Sequence, residues 1–344
     1  MKVVEQALVF PCAGDLLPGI VALPRPSSDA HGPARMGSSA ASAVPGNGAS
    51  APDRAVMPDP SAGCGVLVVV GGPQYRVGSH RQFLLLARRL AAEGYPTMRF
   101  DYRGMGDASG EMHGFEEVSA DIGAALDAFQ LACPSLRRIV LWGLCDAASA
   151  ALLYVQATRD PRVAGLVLLN PWVRSETSLA QTQIKHYYRQ RLLQGDFWWK
   201  LLSGRMEVLK SVRGLVRTAR VAHRRSPADR QPARSFQDRM AEGWQQFSGK
   251  ILLILSGEDY TAREFLEFSG ANLAWSGLIE AVKVRRIDMA DADHTFSSLA
   301  SRVAVEDATL AWLDILAGTD DEHEIAATAA DGNSPPSRRE ELWA

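Results

Sequence analysis

Short β-branched and leucine-rich runs alternate with segments of helical spacing along most of the chain, and this alternation constrains its fold more than any other feature. Val66–Val70 is a continuous apolar run that stops at Gly71-Gly72, the pattern of a strand buried on both faces. Further strands are predicted at Val3–Phe10, Ile20–Leu23, Thr97–Phe100, Ile139–Trp142, Leu166–Leu169, Ile251–Leu255 and Val282–Ile287. Helices are predicted at Phe83–Gly94, Val118–Ala132, Ala147–Thr158, Arg263–Leu278 and Ser298–Leu316. The class is therefore α/β, a mostly parallel central sheet flanked by helices. Ligands of such sheets bind beyond the carboxyl ends of the strands, so the residues just after each strand matter most.

The boundaries follow from composition. Residues 1–24 are expected to open the core, 25–62 to form a flexible Gly/Pro/Ser/Ala-rich insertion, and 63–170 to supply the first part of the core. Residues 171–247 are expected to form a basic helical insertion, 248–318 the second part of the core, and 319–344 a disordered tail. No apolar run approaches the ~18 residues of a transmembrane helix. Glu5 and Gln6 interrupt the N-terminus where a secretion signal would be apolar. Cys12, Cys64, Cys133 and Cys145 lack metal-ligand or disulfide spacing, so neither metal nor cofactor is expected and a reducing cytoplasm is favoured.

After the strand ending at Trp142 comes Gly143-Leu144-Cys145-Asp146-Ala147, the form of a nucleophile elbow. Small neighbours are needed there because the nucleophile sits on a strained strand-to-helix turn. The helix N-terminus would favour a thiolate; the alternative is a buried structural cysteine. Ser256-Gly257-Glu258-Asp259 follows the next-to-last strand and Asp293-His294 the last, giving the order nucleophile, acid, histidine. His294 would take or share the thiol proton, and Asp259 would hold its tautomer. Glu258 could replace Asp259, or Asp259 could simply cap a helix; Asp291 and Asp293 lie too near His294 in sequence to face it across a site. The oxyanion would be met by the backbone N–H of Asp146 and one from the Gly71–Arg76 loop. Pro73 has no N–H, which leaves Gln74 as the expected donor. Arg76, His80 and Arg81 on the same loop could bind an anionic substrate group, or serve as helix caps and surface charge. Asp101 and Arg103, in the turn after Phe100, are expected to pin neighbouring loops.

With Asp101–Ser109 (D-x-R-G-x-G-x-S), the elbow, the late Gly-x-Asp and the terminal histidine, the chain resembles the α/β-hydrolase superfamily over nearly its whole length. More narrowly, G-G-P-Q-Y-R-x-G-S-H-R, G-L-C-D-A-A-S-A and S-G-E-D-Y-T-A-R-E-F are similar to the first hydrolase of exosortase A systems, which accompany bacterial exopolysaccharide gene clusters. The resemblance implies a triad without naming a substrate. Cysteine in place of serine departs from most of the superfamily and is similar to the dienelactone hydrolases. The expected activity is cleavage of an ester or thioester, on a small molecule or an acyl carrier, through an S-acyl-cysteine. The alternatives are transfer of the acyl group to a saccharide or other acceptor, and a non-catalytic scaffold, against which the presence of all three triad residue types counts.

The overall charge of −2 is unevenly spread. Arg174–Phe247 holds 15 Lys+Arg against 6 Asp+Glu, a local +9, leaving −11 for the remainder. Within 197–221, Trp198, Leu202, Met206, Leu209, Val212 and Val216 recur at helical steps, with Lys210, Arg213, Arg217 and Arg220 on another face. This is either a cap helix over the site or an interfacial helix that would place the protein peripherally on the inner membrane. Nucleic acid is not an expected partner. If the helix is interfacial, anionic vesicles will co-sediment the protein in a salt-sensitive way and neutral vesicles will not; failure at low salt leaves only the cap.

Overall fold

A computed structural model of the chain describes residues 3–24, 63–72, 74–174 and 234–330. Most of the predicted insertions (25–62 and the basic stretch 197–221) lie outside these residues.

Eight strands form one sheet: β1 (Val3–Cys12), β2 (Asp15–Pro24), β3 (Cys64–Val69), β4 (Thr97–Phe100), β5 (Arg138–Leu144), β6 (Val163–Leu169), β7 (Lys250–Ser256) and β8 (Val284–Met289). Their order is β1-β2-β4-β3-β5-β6-β7-β8. β1 and β2 form an antiparallel hairpin through Ala13-Gly14, β2 runs antiparallel to β4, and all pairs from β4 to β8 are parallel. The chain steps from β3 to β4 on one side and returns to place β5 on the other. The strand order therefore reverses at β3, and a crevice opens beyond its carboxyl end.

Burial explains why these residues are strands. β3 is buried along its whole length and β5 and β7 at all but their first residue, as strands covered on both faces must be. β8 closes one edge with exposed Arg285, Arg286 and Asp288, charges that discourage pairing with another strand.

The helices are α1 (Gln82–Ala92), α2 (Ser119–Ala132), α3 (Asp146–Thr158), α4 (Phe236–Gln246), α5 (Tyr260–Ala271) and α6 (Leu299–Ala330). Side chains alternate across the sheet with period two, which sorts the helices onto its two faces. Trp142 meets Phe83 of α1 edge-on at 5.7 Å, and a Cβ at Gly165, on the same face, would strike Trp312 of α6. On the opposite face a Cβ at Gly65 would meet Phe129 of α2, and one at Gly143 the backbone of α3.

Three boundaries differ from expectation. The main unit resumes at Arg239, so Arg239–Phe247 belong to it and not to the basic insertion, whose unit spans Val173–Asp238. The reason is apolar burial: Trp244 is fully buried against Phe265 and Trp275, with its Nε1 donating to the Leu278 carbonyl at 2.9 Å. Lys283 also caps the end of α4, donating from Nζ to the carbonyls of Trp244 and Phe247 at 2.6 Å. Helix α5 stops at Ala271 and not at Leu278, because Asn272 leaves helical geometry and its side chain accepts from Ala274 N–H. Helix α6 continues past Thr319 to Ala330, into the stretch predicted as tail.

Candidate active site

The elbow forms because β5 and α3 meet without a spacer. Cys145, the residue between them, has φ 64° and ψ −125°, a sparsely populated conformation for a residue with a side chain. Hydrogen bonds over-determine it. Its N–H donates to the Leu169 carbonyl at 2.8 Å, and its carbonyl accepts from Ala148 N–H at 3.1 Å and Trp172 N–H at 3.3 Å. Gly143 must lack a side chain because α3 turns back within 2.7 Å of where its Cβ would lie. Cys12, Cys64 and Cys133 are buried, whereas Cys145 is partly exposed. Burial pushes the thiols of Cys12 and Cys133 up.

His294 lies on the loop after β8, with Nδ1 2.8 Å from Asp259 Oδ2 and the Cys145 side chain near enough to act on its charge. The Asp259 contact, then the Cys145 contact, push the imidazole up to about 10 against the opposing effect of burial. Asp259 is held below the usual carboxylate range by the His294 hydrogen bond, by its charge and by two backbone donors, which outweigh burial. Asp259 plays both roles that its sequence position suggests. It caps α5 by accepting from Thr261 N–H (3.1 Å) and Ala262 N–H (3.2 Å) while also holding His294. Glu258 is exposed instead, and Asp293 is occupied in its own turn with Thr295 and Ser297.

Two residues not singled out from sequence fix the histidine loop. Asn170, buried at the end of β6 with φ 44°, donates from Nδ2 to Ser256 Oγ at 2.7 Å and to the His294 carbonyl at 3.2 Å. Ser256 N–H donates back to Asn170 Oδ1 at 2.9 Å, and Ser256 Oγ donates to the Asp293 carbonyl at 2.9 Å. Their signal in the sequence is position, since each is the first or last residue at a strand's carboxyl end.

The loop after β3 differs from its expected roles. Gln74 N–H, the expected oxyanion donor, points back to the Gly72 carbonyl at 2.7 Å and so is engaged within its own turn. The Asp146 N–H lies at the start of α3, next to Cys145. Arg76 is not an open cation for substrate. Its guanidinium pairs with the buried Asp101 and, at 2.9 Å, with Asp107, and it lies 4.4 Å over the Tyr75 ring. Asp101 thus pins this loop through Arg76, while Arg103 makes a separate two-point pair with buried Asp121 at 3.0 and 2.8 Å. His80 and Arg81 are exposed, both with positive φ, on the turn leading into α1. Among the described residues no group of three His, Cys, Asp or Glu side chains could hold a metal ion, and no helix is long and apolar enough to cross a membrane.

A family model described as serine aminopeptidase, S33, matches residues 65–222. Among solved structures the chain is similar to the Pyrococcus furiosus esterase Pf2001 (13% identity, 90% of each chain covered, TM-score 0.53). It is also similar to Est1E from Butyrivibrio proteoclasticus, solved with ferulic acid bound (13% identity, 88% of this chain and 98% of that one, TM-score 0.50). A search of curated sequences gives no match. Sheet order, elbow and these matches give the chain the α/β-hydrolase fold. The family description names a serine enzyme, whereas this elbow carries Cys145.

Proposed function

We propose that the protein hydrolyses a carboxylic ester or thioester through an S-acyl intermediate on Cys145. The observation that carries this reading is His294, held by Asp259 at 2.8 Å and raised by the nearby side chain of Cys145, the one partly exposed cysteine of the four. The Cys145 sulfur attacks the acyl carbon, and the carbonyl π pair moves to oxygen beside the Asp146 N–H at the N-terminus of α3. As the tetrahedral species collapses, the leaving alkoxide or thiolate takes the proton held by His294. Water then loses a proton to His294 and attacks the S-acyl carbon, and Cys145 departs with the bonding pair. Asp259 keeps Nδ1 as the donor and stabilises the imidazolium. The motifs shared with the first hydrolase of exosortase A systems suggest a substrate from exopolysaccharide production, small or carrier-linked. Intact mass after exposure to activated esters and acyl-thioesters of graded chain length tests the reading. One acyl adduct, mapped to Cys145, is expected and will report the preferred chain. A protein that stays unmodified, or is acylated on serine, would refute it.

A further inference from the structure

Asp146 is next to the nucleophile, and its side chain is unaccounted for by the triad. Oδ2 accepts the Gly72 N–H at 2.7 Å, across 74 positions of sequence. Oδ1 is buried, has no hydrogen-bond partner among the described residues, and fills the space an added Cβ at Gly71 would need. Burial pushes this carboxyl up, against the backbone N–H groups of Gly72, Ala147 and Asp146 itself and the charge of His294. A desolvated carboxylate is costly, so its place beside a reactive centre calls for a compensating role.

The loop it touches supplies that role. Pro73 carries no N–H, and the Gln74 N–H is engaged with the Gly72 carbonyl, so neither residue offers a free donor to an oxyanion. Its far end is anchored elsewhere, with Arg76 N–H donating to Asp101 Oδ1 at 2.7 Å. At the near end the Gly72–Asp146 hydrogen bond joins loop to elbow. We propose that the Asp146 side chain is a positioning residue that clamps the Gly71-Gly72 turn to the elbow and so sets the wall of the oxyanion pocket. The inference rests on the acyl-enzyme reading above. It concerns formation of the oxyanion, which simple alkylation of the thiol does not require.

That difference gives the test. Acylation by p-nitrophenyl acetate, followed by intact mass, is compared with alkylation by iodoacetamide in wild type, Asp146→Ala and Asp146→Asn. Asp146→Ala should slow acylation roughly 10²-fold, the order expected when oxyanion stabilisation is impaired, through kcat and not KM. Its alkylation should match wild type, which also shows that the elbow is folded. Asp146→Asn keeps an oxygen acceptor for Gly72 N–H and should recover most of the loss. The clamp is overturned if Asp146→Ala acylates like wild type, if acylation and alkylation fall together, or if Asp146→Asn is as slow as Asp146→Ala. A wild type that is never acylated overturns the acyl-enzyme reading as well, whereas acylation unaffected by Asp146→Ala removes the clamp alone.

Discussion

Cys145→Ala is expected to abolish turnover of any ester the wild type cleaves, by at least about 10⁴-fold, the usual scale for losing a covalent nucleophile. It should also abolish labelling by thiol-directed reagents under native conditions, because Cys12, Cys64 and Cys133 are buried. Single replacements of those three should leave the rate intact. The backbone at 145 is held by hydrogen bonds from its own peptide groups, so alanine should preserve the elbow. Turnover surviving in C145A, with the fold verified by an unchanged melting profile, would end the cysteine mechanism.

The second large effect concerns the proton on His294. An imidazolium that persists to about pH 10 beside the cysteine should keep alkylation of Cys145 fast well below the ~8.5 at which a free thiol half-ionises. At pH 6 the wild type should be alkylated faster than His294→Ala. His294→Ala should return the rate–pH curve to that of a simple thiol, and an unchanged curve would show that His294 is not the partner. The same proton links pH to folding. The folded value of about 10 lies above the ordinary 6.5, so its stabilising contribution is fully present below about pH 6.5 and lost as pH rises through about 10. Asp259 acts oppositely: held below 3.8, it contributes above that value, and the contribution is lost as pH falls through its lowered range.

Much of this is legible in the sequence because the chemistry is local to strand ends. Cys145, Asp259 and His294 each follow a run recognisable as a strand, and the order of those runs leads to one crevice. Pairings between distant residues are not legible in that way. Nothing near Arg76 in the chain announces Asp101 and Asp107 as its partners, so a buried pin reads as an open cation. Gln74 looks available because its neighbour is proline, but the turn folds its N–H inward, a choice of dihedral angles that residue identity does not reveal. Asn170 and Ser256 are ordinary polar residues until two parallel strands place them side by side. Helix α4 and the extension of α6 are not legible for another reason. Charge and small polar residues dominate those stretches, while burial of Trp244 and the continuing backbone of α6 decide the structure.

The Asn170–Ser256 hydrogen bonds join residues 86 positions apart, at the root of a long excursion of the chain between β6 and β7. Loop-closure entropy rises only with the logarithm of length, so doubling such an excursion adds just about 0.6 kcal/mol. Its ends are fixed at the root by strand pairing and by one amide and one hydroxyl, whatever lies between. The segment leaving after Asn170 can therefore be lengthened or shortened at small thermodynamic penalty, while Asp259 and His294 keep their places. Change in the length of that segment is thereby separated from the geometry of the strand ends that carry Asp259 and His294.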